Sequence, residues 1–266
     1  MERRNLLLTI EYDGSGFSGW QRQPGKRTVQ GELERVLSVL CGGPVELAGT
    51  SRTDAGVHAL AQRAAFSGEY GIPTERIGEA ANRLLTGGGP GSVGDVRILH
   101  VEEVPEEFHP RFGAAGKKYI YKIRNAPAPD VFLRNYCYQV SRPLDAERMR
   151  RGALLLEGTH DFRSFMAAGG TPRENTVRTL YRVRVEESPL PEGGAELSLE
   201  VRGDGFLYNM VRILTGTLVE VGLGKREPEE LPEILKALDR GQAGHTAPPQ
   251  GLYLAEVYFD KEALFR

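Results

Sequence analysis

Apolar positions in the chain recur first at the spacing of a strand and then at that of a helix. Leu6, Leu7, Leu8, Ile10 and Tyr12, interrupted by Thr9 and Glu11, predict a strand that closes at the turn signal Asp13-Gly14. Thr28 is placed to cap a helix whose apolar residues Val29, Leu33, Val36, Leu37 and Leu40 recur at helical spacing. Strand-like segments follow near 45–50 and 60–67. Pro73-Thr74 then opens a second helix with Ile77, Ala81 and Leu84 on one face, and a strand near 95–104 completes the series. The order is βαββαβ.

Beyond a turn-rich stretch from Pro105 to Gly113 the order returns, with strands near 116–124, 177–187, 196–203 and 252–259 and helices over 145–156 and 206–221. No residue-level repeat accompanies it. The expectation is an α+β chain of two βαββαβ, ferredoxin-like halves, residues 1–108 and 109–266. Each half would be an antiparallel sheet with its helices on one face, and the two would meet across a central cleft.

Composition narrows the class. A chain of 266 residues with 40% hydrophobic and 26% charged positions is that of a globular protein. At this length roughly 70–75% of the unfolded surface can be buried, so the core needs no disulfide or metal. No apolar run approaches the ~20 residues that cross a bilayer, and Met1-Glu2-Arg3-Arg4-Asn5 lacks the apolar region of a signal peptide, so a cytoplasmic location is expected. Cys41 and Cys137 form no CxxC pair and read as small buried hydrophobes. The histidines, His58, His100, His109, His160 and His245, show no metal spacing, and no metal site is expected. Gly87 to Gly91 is glycine-rich but lacks the Lys-Ser/Thr of a phosphate-binding loop and reads as a connector.

Charge is nearly balanced, 34 basic against 36 acidic residues, which argues against a generic nucleic-acid coat. One segment departs from the balance. From Arg111 to Arg124 the chain carries Arg111, Lys117, Lys118, Lys122 and Arg124 without an acid, interleaved with Phe112, Tyr119 and Tyr121. Cations beside aromatic rings suit an RNA groove; the same pattern also describes a solvated strand face over a core.

The segment richest in chemistry is Gly49-Thr50-Ser51-Arg52-Thr53-Asp54-Ala55-Gly56-Val57-His58-Ala59, between two predicted strands. A carboxylate on such a loop, beside an Arg and followed by a glycine, can serve as nucleophile, as base or as a turn former. The run resembles the signature of the tRNA pseudouridine synthase A family, whose loop reads Gly-Arg-Thr-Asp-Ala-Gly-Val-His. Further segments resemble the family in family order: Glu11-Tyr12-Asp13-Gly14, Gly19-Trp20-Gln21-Arg22-Gln23, Phe108-His109-Pro110-Arg111-Phe112, Lys118-Tyr119-Ile120-Tyr121, Gly205-Phe206-Leu207-Tyr208-Asn209-Met210-Val211-Arg212 and Ala247-Pro248-Pro249-Gln250-Gly251-Leu252-Tyr253-Leu254. The resemblance thus covers essentially the whole chain. Ser51 departs from it, since many members carry glycine there, and implies a slightly different loop conformation with the chemistry kept.

The resemblance implies isomerisation of uridine to pseudouridine in tRNA, at positions 38 to 40 of the anticodon stem-loop, without cofactor, by a homodimer with an RNA-binding cleft. Asp54 would be the nucleophile and Arg52 the side chain that enters the space left by the extruded base. Tyr119 would stack on that base, Arg212 would pair with the Asp54 carboxylate, and Leu252 would close an apolar wall. Arg111, Lys117, Lys118 and Lys122 would meet the RNA backbone. Physical reasons accompany these roles. Extruding a base costs a few kcal/mol, and a stacking ring returns about 1–3 kcal/mol of it. A guanidinium in the apolar run from Phe206 to Leu218 calls for an acidic partner or a route to solvent. Two other readings compete: an inactive RNA-binding module, which would have no use for Asp54 and Arg212, and a glycoside hydrolase, for which no second paired carboxylate is recognisable. The route, whether attack on C6, attack on C1′ or assistance of a glycal, stays open at this level.

Overall fold

In a computed structural model that describes residues 3–86, 93–169 and 175–265, the first apolar run is a strand, β1 (Arg3–Tyr12). Leu6, Leu7, Leu8 and Ile10 are all buried, so this strand is covered on both faces. Thr28 caps α1 (Val29–Cys41) by accepting a hydrogen bond from the Gly31 N–H, and Val29, Leu33, Val36 and Leu37 face inward. The chain continues through β2 (Ala48–Gly49), β3 (His58–Glu69), α2 (Thr74–Leu85), β4 (Val96–Val104) and the single turn α3 (Pro110–Gly113). β1 lies between β3 and β4, antiparallel to both, with Leu8 opposite Ala64 on one side and Val101 on the other. β2 adds a two-residue pairing to β3. In α2, Ile77 and Ala81 are buried, but Leu84, expected on the same face, is 42% exposed in the last turn of the helix.

Residues 116–252 and 260–266 form a second compact unit, and 1–115 and 253–259 the first. The second contains β5 (Gly116–Asn125), β6 (Tyr138–Val140), α4 (Ala146–Leu154), β7 (Gly158–Asp161), β8 (Val177–Pro189), β9 (Ala195–Gly203), α5 (Met210–Gly222) and α6 (Leu231–Ala237). β5, β9, β8 and β7 are neighbours in that order, antiparallel throughout. Tyr119, Tyr121 and Ile123 of β5, Leu197, Leu199 and Val201 of β9, and Val183 and Val185 of β8 bury one face at period two. α4 and α5 pack there: Gly152 of α4 lies directly against Leu218 of α5, and Arg150 of α4 donates to the Val185 carbonyl.

The last strand, β10 (Leu252–Tyr258), pairs with β3 in parallel, Tyr253 beside His58. β6 is likewise parallel to β5. The expectation of wholly antiparallel sheets is thereby corrected, as is the start of the helix expected from 206. That helix begins at Met210, after Asn209 takes the left-handed conformation at φ 57°. The glycine-rich Gly87 to Gly91 lies outside the described residues. Among the described residues, no helix is long and apolar enough to cross a membrane.

Candidate active site

Asp54 sits in the first unit, in the connection from β2 to β3, on a turn whose conformation its neighbours dictate. Val57 N–H donates to the Asp54 carbonyl at 3.1 Å, and Gly56 between them adopts φ 77°, the left-handed value a type II turn asks of its third residue. Ala55 is exposed, while Ser51, Thr53, Val57 and His58 are buried. The carboxylate is therefore presented on a rigid, half-exposed turn.

Both flanks of the turn are pinned. On one side the Thr53 hydroxyl and Tyr12 hydroxyl lie 2.7 Å apart, and Trp20 N–H donates to the Thr53 carbonyl at 3.0 Å. Further back, the Gln62 side chain brackets Ser51, donating to its carbonyl at 2.7 Å and accepting from its N–H at 3.3 Å. The Ser51 hydroxyl itself is buried without a hydrogen-bond partner. The serine at this position is thus accommodated through its backbone alone. On the other flank Gly14 lies against Val57: a Cβ there would come 2.0 Å from the Val57 carbonyl oxygen, so only glycine fits. The segments Glu11 to Gly14 and Gly19 to Gln23 are in this way structural supports of the Asp54 turn. Arg52, within the pinned stretch, is exposed. Arg111 is exposed on α3, which is tied to this loop by the Thr50 hydroxyl donating to the Pro110 carbonyl at 3.3 Å.

Tyr119, Arg212 and Leu252 belong to the second unit. Tyr119 is 8% exposed on the apolar face of β5, its ring edge-on to Phe206 with centroids 4.9 Å apart. Arg212, in the first turn of α5, donates from Nε to the Ala247 carbonyl at 2.7 Å and from Nη1 to Asn209 Oδ1 at 2.8 Å, while Ala247 N–H returns a bond to the Arg212 carbonyl at 3.0 Å. The unusual Asn209 backbone turns its amide toward that guanidinium. One residue on, the Pro248 carbonyl accepts from the Tyr121 hydroxyl at 2.6 Å. Burial pushes the Tyr121 phenol well above its ordinary value, with the nearby Arg212 guanidinium opposing the shift. Tyr121 and Arg212 together hold the segment that ends at the buried Leu252.

The basic strand divides between two faces. Lys117 shares the face of Tyr119, whereas Lys118 and Lys122 share the opposite, more polar face, across from Arg202 and Ser198 of β9. Arg124 is withdrawn from any such surface: it is buried and paired with Glu192, in the hairpin between β8 and β9. Among the described residues no group of three or more His, Cys, Asp or Glu is arranged to hold a metal ion. His58, Tyr121 and Asn209 support these positions although their types alone did not single them out. Their signal was their place inside the segments that carry the resemblance.

Against known proteins, a family model described as tRNA pseudouridine synthase matches residues 8–112 and 153–260. The chain is 45% identical over 256 residues to tRNA pseudouridine synthase A of Acetivibrio thermocellus, covering 96% of this chain and 100% of that one. It is also 45% identical over 259 residues to tRNA pseudouridine synthase A 2 of Clostridium tetani, covering 97% and 99%. A solved chain of a Cbf5-Nop10-Gar1 complex aligns at 12% identity and a TM-score of 0.35, over 97% of this chain and 58% of that one, a likeness too low to bear on the fold. The chain belongs to the tRNA pseudouridine synthase family, a family of isomerases.

Proposed function

We propose that the protein converts uridines at positions 38 to 40 of the tRNA anticodon stem-loop into pseudouridine, with Asp54 as nucleophile. The observation that carries this reading is the Asp54 turn itself, clamped from Thr53 on one side and Val57 on the other within a chain of this family. The reaction breaks the N1–C1′ bond, turns the uracil and rejoins it through C5, the C5 hydrogen leaving to solvent as a proton while N1 takes one up. Atoms and electrons balance within one nucleotide, so no cofactor enters it. A carboxylate on a fixed turn can bond transiently to the base or sugar and be released unchanged. The exposed Arg52 fills the gap in the stack when the base leaves, and Tyr119 stacks on the base. Arg212 pairs with the Asp54 carboxylate, Leu252 closes the apolar wall of the pocket, and Arg111, Lys117, Lys118 and Lys122 meet phosphates. Residues 1–108 and 109–266 are read as ferredoxin-like halves, and the protein as a cytoplasmic enzyme.

The test is incubation of chelator-dialysed enzyme with prefolded tRNA, followed by nucleoside mass analysis. Pseudouridine of unchanged mass at positions 38 to 40 is expected. Free uracil, or a strict need for added metal on a prefolded stem-loop, would contradict the reading.

Tyr119 gives a second test. Tyr119→Phe keeps the ring and is expected to retain most turnover, whereas Tyr119→Leu loses stacking worth about 1–3 kcal/mol and is expected to fall by roughly 10- to 100-fold. Equal activity of both variants and the parent would return Tyr119 to the core alone.

The protein is further proposed to act as a homodimer that shares one tRNA. Phosphate contacts on both sides of the target fix its register without reading sequence. The withdrawal of Arg124 shortens the track one chain supplies, and a two-fold partner doubles it. Light scattering during size-exclusion chromatography should give twice the mass of the 29.3 kDa chain. A monomer that modifies full-length tRNA at normal rates would refute the shared track.

A further inference from the structure

We propose that His58 is the positioning residue of the Asp54 turn, acting as a neutral imidazole whose unprotonated Nδ1 pins the Asp13-Gly14 turn against Val57. The inference rests on the reading of Asp54 as nucleophile. His58 is the first residue of β3, four positions past Asp54, and is buried to 2% exposure. Its ring face is fixed by Tyr253, stacked at 4.7 Å between centroids and 21° between planes, in register across the parallel pairing with β10. Its edge is fixed by Gly14, whose N–H donates to Nδ1 at 3.1 Å.

A ring nitrogen that accepts a hydrogen bond carries no proton, so the neutral ring holds its proton on Nε2. Asp13 Oδ1 lies 3.2 Å from the same Nδ1, and that oxygen accepts the Ser15 N–H at 2.9 Å. A proton on Nδ1, fixed in the ring plane, would make that nitrogen a donor to this carboxylate and set it donor to donor against the Gly14 N–H, breaking the Gly14 bond. The neutral, Nε2-protonated ring is the form that keeps Gly14 in place. Gly14 in turn sits directly on the Val57 carbonyl, and Val57 N–H closes the turn on Asp54. A continuous contact chain thus runs from Tyr253 through His58, Gly14 and Val57 to Asp54. Its opposite flank is held independently by Tyr12 and Trp20. Loss of the His58 link should leave the loop folded but let the carboxylate drift, and a misplacement of about 1 Å can cost on the order of 10²-fold in rate.

Three variants separate this role from simple packing. Asn carries its amide oxygen close to where Nδ1 sits, whereas Gln carries its amide farther out and Ala carries none. With thermal unfolding measured alongside, His58→Asn is expected to hold kcat within about threefold, while His58→Ala and His58→Gln lose about 10²-fold in kcat with KM changed little. Nitrogen-15 spectra of the parent enzyme should show the Nε2–H tautomer at neutral pH. The inference is overturned if His58→Asn falls as far as His58→Ala at equal thermal stability, if all three variants match the parent, or if the parent ring carries its proton on Nδ1. The spectrum decides the matter even where the variants do not fold. Asp54→Asn is assayed beside them. If it stays active, the nucleophile reading fails and takes this inference with it; if it is inactive beside a fully active His58→Ala, only this inference fails.

Discussion

Asp54→Asn is expected to lower kcat for pseudouridine formation by at least about 10⁴-fold, the scale on which other covalent catalysts respond to loss of the nucleophile. Affinity for tRNA should stay within a few-fold, because phosphate contacts dominate binding and a single carboxylate adds little to them. Asn is nearly the same size and keeps the backbone bond from Val57 that closes the turn, so the clamp on both flanks is left intact. What is lost is the charge and the ability to form and release a bond. Parallel measurement of single-turnover rate and tRNA binding checks both halves of the expectation.

Arg212→Lys should produce the next largest loss, about 10²- to 10³-fold in kcat/KM, although the charge is retained. The guanidinium uses separate nitrogens for two partners, the Ala247 carbonyl and the Asn209 side chain. An ammonium is a point donor on a flexible stem and cannot reproduce that fork. The Ala247 carbonyl would lose a charge-assisted bond, a cost of roughly 1.5–3 kcal/mol. The segment from Ala247 to Leu252 would then rest on the backbone bond from Ala247 N–H to residue 212 and on the Tyr121 bond to Pro248. Steady-state kinetics with thermal unfolding, compared with Arg212→Met, separates the two contributions. Both variants should lose stability, and the shortfall of Arg212→Lys against the parent measures the fork rather than the charge.

The sequence was most legible where the cause of structure is local. α1 is announced by the Thr28 cap and its apolar spacing, and the Asp54 turn by Asp-Ala-Gly-Val, whose glycine supplies the left-handed residue. The short elements β6, β7 and α6 carry three to seven residues and too little periodicity to register. The region read as a strand over 45–50 shrinks to Ala48–Gly49. The parallel pairing of β10 with β3 depends on residues some two hundred positions apart, which no window reports. Charge is visible in Arg124, but its partner Glu192 is 68 positions away, so the sequence alone does not show that this cation is buried and paired with a half-exposed carboxylate. His58 is visible in the sequence as part of the signature run and as lacking a metal pattern, but its bond from Gly14, 44 positions earlier, is not.

Following the hydrogen on C5 of the target uridine tests most directly whether the Asp54 carboxylate does the chemistry. Joining C5 to C1′ releases that hydrogen to solvent, so tRNA carrying tritium at C5 reports each isomerisation without product workup. With enzyme in excess over a prefolded anticodon stem-loop, the parent protein should release one tritium per target uridine. Asp54→Asn, bound to the same RNA to the same extent, should release none above background. Release by Asp54→Asn at a rate near the parent's would contradict the central claim that the Asp54 carboxylate does the chemistry.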